Sequence, residues 1–211
     1  MIEPVSTRLL LVPWNVYVDA QIISLTAEMA ESQIRHDWWN DDCLKSHPIP
    51  PPIDRHWNWN ELSIEYESRS LPYERVAIVA GTDNAIQGAL MVSSEPVKSI
   101  LESGNALFVE LLFTAPRNRI DLRKDGKHLL RGVGVKLLTW AAQYSREKGC
   151  NGRLLLDSSP DQIDWYEKRG LQTLERDPIF TRVLSIRRWS FPPKLLTNCL
   201  KRGRQYRRQR C

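Results

Sequence analysis

The sequence has no run of about 18 apolar residues, the length at which a hydrophobic stretch predicts a membrane-spanning helix. Residues 1–4 also lack the basic segment and the apolar stretch that begin a secretory signal peptide. There are only four cysteines, and they are scattered along the chain: Cys43, Cys150, Cys199 and Cys211. This spacing requires no disulfide, so a reduced, cytoplasmic setting is the simplest interpretation.

Acidic residues are missing from the C-terminal end of the chain. Residues 187–211 contain nine Lys or Arg residues and no Asp or Glu. The whole chain has 30 Lys or Arg and 25 Asp or Glu, so the rest carries 21 basic against 25 acidic residues. We define residues 188–211 as the basic C-terminal tail. It predicts a weak contact with nucleic acid or another anionic surface, and a solvated terminus is the simpler interpretation.

Two familiar nucleotide-binding motifs are also missing. No Gly-Lys-Ser or Gly-Lys-Thr forms a P-loop, and the third glycine of a dinucleotide fingerprint is absent. Two glycines do open an apolar-periodic helix after a strand-like run and a charged loop. The first turn of a helix has N–H groups without internal partners, and glycine lets a diphosphate approach them. A plain tight turn is the alternative. The predicted anion-binding residues are Leu130, Arg131, Gly132, Val133, Gly134 and Val135.

The periodicity of apolar residues predicts a mixed α/β protein. Strands that first form a meander and then alternate with helices predict a mostly antiparallel sheet with one parallel pair and flanking helices. We expect one domain over residues 1–187, with an irregular insertion rich in Trp and Pro at about 37–60. Strands are predicted at 8–12, 75–80, 86–93, 107–114, 153–157, 171–174 and 180–187, and helices at 18–35, 59–68, 132–148 and 161–169.

Together these segments resemble the GNAT superfamily of N-acetyltransferases over about residues 74–175. The shared pattern is a strand ending in a hydrophobic-x-Pro step, a Gly-x-Gly turn into a helix, and Trp165–Leu171 as aromatic-Tyr-x-x-x-Gly-hydrophobic. Leu129 stands where the family has Gln or Arg. The segment from Glu110 to Arg119 also resembles a bacterial subgroup with Glu-hydrophobic-x-x-x-Pro-x-Asn-Arg at this strand.

The resemblance implies a GNAT-type fold with acetyl-coenzyme A as the acyl donor. In that fold the parallel strands, here 107–114 and 153–157, splay apart and the donor enters the gap between them. Its pantetheine arm would pair like an added strand with the backbone of Leu112, Phe113 and Thr114. No metal is expected, since the spacing of His36, Cys43 and His47 matches no common zinc site.

The chemistry implied is transfer of the acetyl group to a primary amine. Such an amine is protonated near neutral pH, so it needs a base before it can attack. Glu110 is the candidate base, because it interrupts an apolar strand where the resemblance places a glutamate; a surface carboxylate or an ion pair is the alternative. Tyr166 is the candidate acid for the leaving thiolate, with core packing as its alternative. Asp157 is a weaker candidate base.

The acceptor is not identified by the sequence. Trp38, Trp39, Trp57 and Trp59 lie where GNAT enzymes build the acceptor pocket, and could form an aromatic wall or simply pack over the sheet. The expected partners are a small-molecule or peptide amine and a second copy of the chain in a homodimer. The alternative function is a non-catalytic GNAT-like module. It would bind an acyl-coenzyme A or act as a nucleic-acid-associated regulatory module.

Overall fold

The computed structural model describes residues 2–40, 42–45, 61–62, 72–99, 103–127 and 129–173, and the backbone of 184–185. Ten strands in these residues form one sheet, in the order β7-β1-β2-β3-β4-β6-β8-β10-β9, and β5 pairs with the start of β6. The strands are β1 Val5–Leu11, β2 Val16–Ser24, β3 Tyr73–Ala80, β4 Ala85–Ser93, β5 Val97–Lys98, β6 Asn105–Thr114, β7 Leu130–Arg131, β8 Leu154–Leu156, β9 Gln172–Thr173 and β10 Leu184–Ser185.

Three α-helices with described bounds accompany the sheet, and residues 61–62 are also helical. Helix α1, Ala27–Met29, continues as wider π-type turns over Ala30–Asp37. Helix α2, Val133–Glu147, is the long one, and α3 covers Ile163–Glu167. No helix of the described residues is long and apolar enough to cross a membrane.

The predicted mixed, mostly antiparallel sheet is confirmed. Strand β6 runs parallel to β8, and every other strand pair in the described residues is antiparallel. The predicted strands at 75–80, 86–93 and 107–114 and the helix at 132–148 agree with the structure to within about two residues at each end. The predicted helix at 59–68 and strand at 180–187 lie mostly outside the described residues, as do residues 46–60 of the insertion.

The predicted helix over residues 18–35 is wrong in its first half. Strand β2 occupies Val16–Ser24 and pairs with β1 on one side and β3 on the other. Its buried residues, Ala20 and Ile22, alternate with exposed polar residues, which is the period of a strand. The helix begins only after Thr26, whose Oγ1 accepts a hydrogen bond from the Met29 N–H at 3.1 Å.

Apolar side chains cover both faces of the sheet. The first cluster packs α2 and Tyr166 against one face, and it includes Leu107 and Val109 of β6. The second cluster packs the helical segment 27–38 against the other face. We call these the α2 face and the N-terminal-helix face. The candidate site lies at the part of β6 that follows its pairing with β8.

Candidate functional site

The parallel strands β6 and β8 are paired over only three residues each. Leu107, Phe108 and Val109 pair with Leu154, Leu155 and Leu156, and β8 then ends. Strand β6 continues to Thr114 with β4 as its partner on the other side. The described pairing of β6 with β8 therefore covers only the first half of β6 and stops before Glu110. We call this part of the sheet the opening; Leu112, Phe113 and Thr114 lie in β6 beside it, and their contact with the donor stays a prediction.

The first turn of α2 lies against the end of β6. Val133 approaches β4 so closely that a Cβ built on Gly88 would lie 2.5 Å from Val133 Cγ1, and Gly88 is the register partner of Thr114. A Cβ on Gly134 would lie 3.8 Å from Thr114 Cγ2. The N–H groups at the start of α2 are thereby brought beside the gap. The anion site predicted at residues 130–135 includes this turn, and it stays a prediction.

Gly132 and Gly134 are needed for different reasons. Gly132 caps α2 with φ of 98°, a left-handed conformation that glycine adopts without strain, and a Cβ there would meet no atom within 4 Å. Gly134 lies inside the helix, where a Cβ would lie 3.2 Å from the Trp165 ring. The first glycine therefore shapes the turn, and the second makes room for Trp165.

The N–H of Leu130 is occupied within the protein. It donates a hydrogen bond to Asn118 Oδ1 at 2.9 Å. Leu130 and Arg131 form β7, which pairs with Leu11 and Leu10 of β1. These contacts hold residues 130–131 in place before α2. The helix-terminal N–H groups of the predicted anion site are then those of the first turn of α2, from Val133 to Val135.

Sequence reasoning missed the buried polar network around Asn118. The side chain of Asn118 is 4% exposed, and its Nδ2 donates to Gln87 O at 3.2 Å and Gln87 Oε1 at 3.0 Å. Arg117 donates from Nε to Gln87 Oε1 and from Nη2 to Ile86 O. Gln87 is also the extra residue of a β-bulge in β4, since Gly88 pairs with Ile78 and Ile86 with Val79. The only sequence signal was Asn118 two residues after Pro116.

Glu110 is the extra residue of a second β-bulge. Val109 pairs with Val92 and Leu111 pairs with Met91, so Glu110 is inserted between two consecutive register pairs. The bulge reverses the alternation of side chains, because Val109 lies on the α2 face and Leu111 on the N-terminal-helix face. Glu110 is half-buried, and its Oε1 accepts a hydrogen bond from the Tyr73 hydroxyl at 2.9 Å.

Tyr166 belongs to the α2 face and is 8% exposed. Its ring packs edge-on against Trp165, with 4.9 Å between ring centroids. Burial raises the pKa of Tyr166 to about 12, and the charge of Arg169 opposes this shift. The phenol therefore keeps its proton throughout the neutral pH range. Tyr166 packs on the α2 face, whereas Tyr73, the hydrogen-bond donor to Glu110, packs on the N-terminal-helix face.

Cationic side chains accompany the start of α2. The Arg169 guanidinium stacks on the Trp165 ring at 3.7 Å from the centroid. Burial, and then the neighbouring charge of Arg131, lower the pKa of Arg169. Two arginines whose charges act on each other beside a helix N-terminus create a positive potential. Such a potential favours a polyanion such as a diphosphate.

The tryptophans divide between described and undescribed parts of the chain. Trp38 is 2% exposed, its Nε1 donates to Ile86 O at 3.1 Å, and its ring packs against Phe113. Trp38 is therefore part of the core, as the packing alternative expected. Trp39 packs partly buried against the same cluster, whereas Trp57 and Trp59 lie outside the described residues. Asp157 follows β8 directly and is exposed.

Comparison with protein-family models gives no match, and sequence comparison with curated proteins gives none either. Solved structures do match in fold. A bacterial toxin is 13% identical with a TM-score of 0.52, over 79% of this chain and 89% of that one. An acetyltransferase of Trypanosoma brucei is 19% identical with a TM-score of 0.48, over 75% of this chain and 96% of that one. Glucosamine-6-phosphate N-acetyltransferase from Arabidopsis thaliana is 17% identical with a TM-score of 0.47, over 75% and 95% respectively. At these identities the similarity concerns the fold alone, which in this chain is a mixed sheet with one parallel strand pair.

Proposed function

We propose that this protein transfers an acetyl group from acetyl-coenzyme A to a primary amine. The observation that carries the proposal is the opening between β6 and β8 with the first turn of α2 beside its end. The strand edge of β6 suits an amide-bearing pantetheine arm, and the helix N-terminus suits a diphosphate. A ligand that has both groups in one extended chain is coenzyme A.

The thioester would lie in the opening, where both faces of the sheet give access. The amine nitrogen attacks the thioester carbonyl carbon, so a C–N bond forms and the C–S bond breaks. Glu110 accepts the proton that the amine loses, and Tyr166 donates a proton to the departing thiolate. A backbone N–H of Leu112, Phe113 or Thr114 would polarise the carbonyl oxygen. The acceptor would enter from the N-terminal-helix face, because Glu110 lies on that side.

The test is a thiol-release assay on a panel of amines, with Glu110→Gln as the diagnostic variant. General base catalysis typically contributes about 10² to 10⁴, so Glu110→Gln should lower turnover by about that factor. The affinity for acetyl-coenzyme A, measured by calorimetry, should stay the same. Glu147→Gln is the matched control, because Glu147 is exposed at the end of α2.

Two results would redirect the proposal. Wild-type turnover by Glu110→Gln would assign the base to Asp157, to water or to the acceptor itself. Tight binding of acetyl-coenzyme A with no thiol release on any amine would favour the non-catalytic binding module.

A further inference from the structure

We propose that Tyr73 is a positioning residue for Glu110, holding its carboxylate over the acceptor side of the opening. This inference rests on the proposed function, in which Glu110 is the base. Its basis is the hydrogen bond that the Tyr73 hydroxyl donates to Glu110 Oε1 at 2.9 Å. The two residues are 37 positions apart in the sequence.

The register of the sheet makes this contact possible. Tyr73 is the first residue of β3 and pairs with Ser93 of β4, and the neighbouring Val92 pairs with Val109 of β6. Tyr73 is thus two strands away from Glu110, roughly 10 Å across the sheet. Only long side chains that lie on the same face can meet over that distance. Tyr73 packs on the N-terminal-helix face, so the bulge has to direct the Glu110 side chain to that face.

The bulge is itself held by a side chain. An extra residue disturbs the ladder of backbone hydrogen bonds. Here the Phe108 N–H donates instead to Ser93 Oγ at 2.8 Å, and Ser93 is 8% exposed. Ser93 therefore supports the backbone before Glu110, and Tyr73 supports the side chain of Glu110. A glutamate has three rotatable side-chain bonds, so the backbone alone would not fix its carboxylate.

The phenol suits this task because it is a single donor. A carboxylate has two oxygens, each able to accept more than one hydrogen bond. Engaging Oε1 through one donor orients the carboxylate toward the acceptor side of the opening. Removing the phenol should misplace the carboxylate rather than change the donor site, which is formed by other residues around α2.

The kinetic test is Tyr73→Phe, with the acceptor identified by the amine panel. Because the variant loses a hydrogen bond to a charged group, kcat should fall about tenfold. The KM for acetyl-coenzyme A should stay the same. Tyr17→Phe is the matched control, because Tyr17 is 65% exposed on β2 and also loses only a hydroxyl. In the Glu110→Gln background, Tyr73→Phe should cause little further loss, since residues that act through one another are not additive.

Three results separate this inference from the proposed function. If Tyr73→Phe lowers kcat by the same factor in the wild-type and in the Glu110→Gln backgrounds, the inference is overturned, because Tyr73 would then act elsewhere. Full activity of Tyr73→Phe, together with a loss in Glu110→Gln, would overturn it while leaving the proposed function intact. Full activity of Glu110→Gln would overturn the inference and would move the role of base to Asp157, to water or to the acceptor, with acetyl transfer itself retained.

A crystallographic readout does not depend on turnover. In crystals of the wild type and Tyr73→Phe under one condition, the Glu110 carboxylate should be ordered in the first and displaced or spread over several rotamers in the second. The same ordered rotamer in both structures would overturn the positioning role, even if no acceptor had been found.

Discussion

Single residues decide how closely the elements around the opening approach each other. Gly88 lets Val133 contact β4, Gly134 accommodates Trp165, and Gly132 supplies a left-handed turn. A side chain at any of these three positions would act through a different physical cause: overlap with the helix, overlap with an indole, or backbone strain. The strain at Gly132 is the easiest of the three to isolate by mutation.

Gly132→Ala should weaken the binding of acetyl-coenzyme A by about fivefold, measured by calorimetry. The added methyl group meets no neighbour, so the cause is strain of about 1 kcal/mol that shifts the first turn of α2. Gly149→Ala is the matched control, because Gly149 has φ of 77° with open space around it and lies beyond the other end of the helix. Equal donor affinity in the two variants would contradict the placement of the diphosphate.

Elements around the site are connected through Asn118. Its side chain joins the bulge of β4 at Gln87 to the N–H of Leu130 in β7, which leads directly into α2. The same region of β4 receives Trp38 from the N-terminal-helix face, through Ile86 O. The donor side and the acceptor side of the proposed site therefore share one buried polar network. Such networks are costly to leave partly satisfied.

Asn118→Leu should lower the free energy of unfolding by about 2–4 kcal/mol, measured by urea denaturation. The apolar side chain leaves the buried Leu130 N–H unsatisfied, which costs about 1–3 kcal/mol, and it removes the hydrogen bonds of Asn118 to Gln87, whose O keeps the Ala115 N–H as a donor. Acetyl-coenzyme A should also bind more weakly to the folded variant, because residues 130–131 lose their tether. Asn105→Leu, at an exposed position at the start of β6, is the control. A stability loss with unchanged donor affinity would limit Asn118 to a structural role.

At the scale of the whole molecule, charge is separated from the proposed chemistry. The nine cations from residue 187 onward lie apart in sequence from every residue of the candidate site. The remainder of the chain has more acidic than basic residues, so the basic pI of about 9.1 comes from this end. The tail lies outside the described residues. A truncation can therefore separate its contribution from that of the site.

Deleting residues 200–211 removes six Lys or Arg residues. We expect the truncated protein to keep its affinity for acetyl-coenzyme A and its turnover on a small neutral-headed amine. Any salt-sensitive binding to RNA, DNA or anionic vesicles should be lost, because that binding depends on the number of cations. A folded truncated protein without turnover would instead show that the tail covers the acceptor pocket or completes a dimer.

Local patterns in the sequence determined which segments carry the site. The apolar run with one carboxylate predicted β6, and the two glycines before an apolar period predicted the start of α2. Both patterns depend on neighbours a few residues apart, so they can be recognised without tertiary contacts. The prediction of a helix over Val16–Ser24 is wrong. The apolar residues there fit the period of a helix as well as that of a strand, and the strands that pair with this segment, β1 and β3, are not identified by local sequence.

Tertiary structure alone decided how those segments act together. Which face Glu110 uses depends on a bulge that only the register with β4 defines, and its partner Tyr73 lies 37 residues away. Asn118 lies 31 residues from Gln87 and 12 residues from Leu130 in the sequence, and its side chain forms hydrogen bonds with both. No periodicity encodes such contacts, because a hydrogen bond between distant residues requires the strands to be paired first.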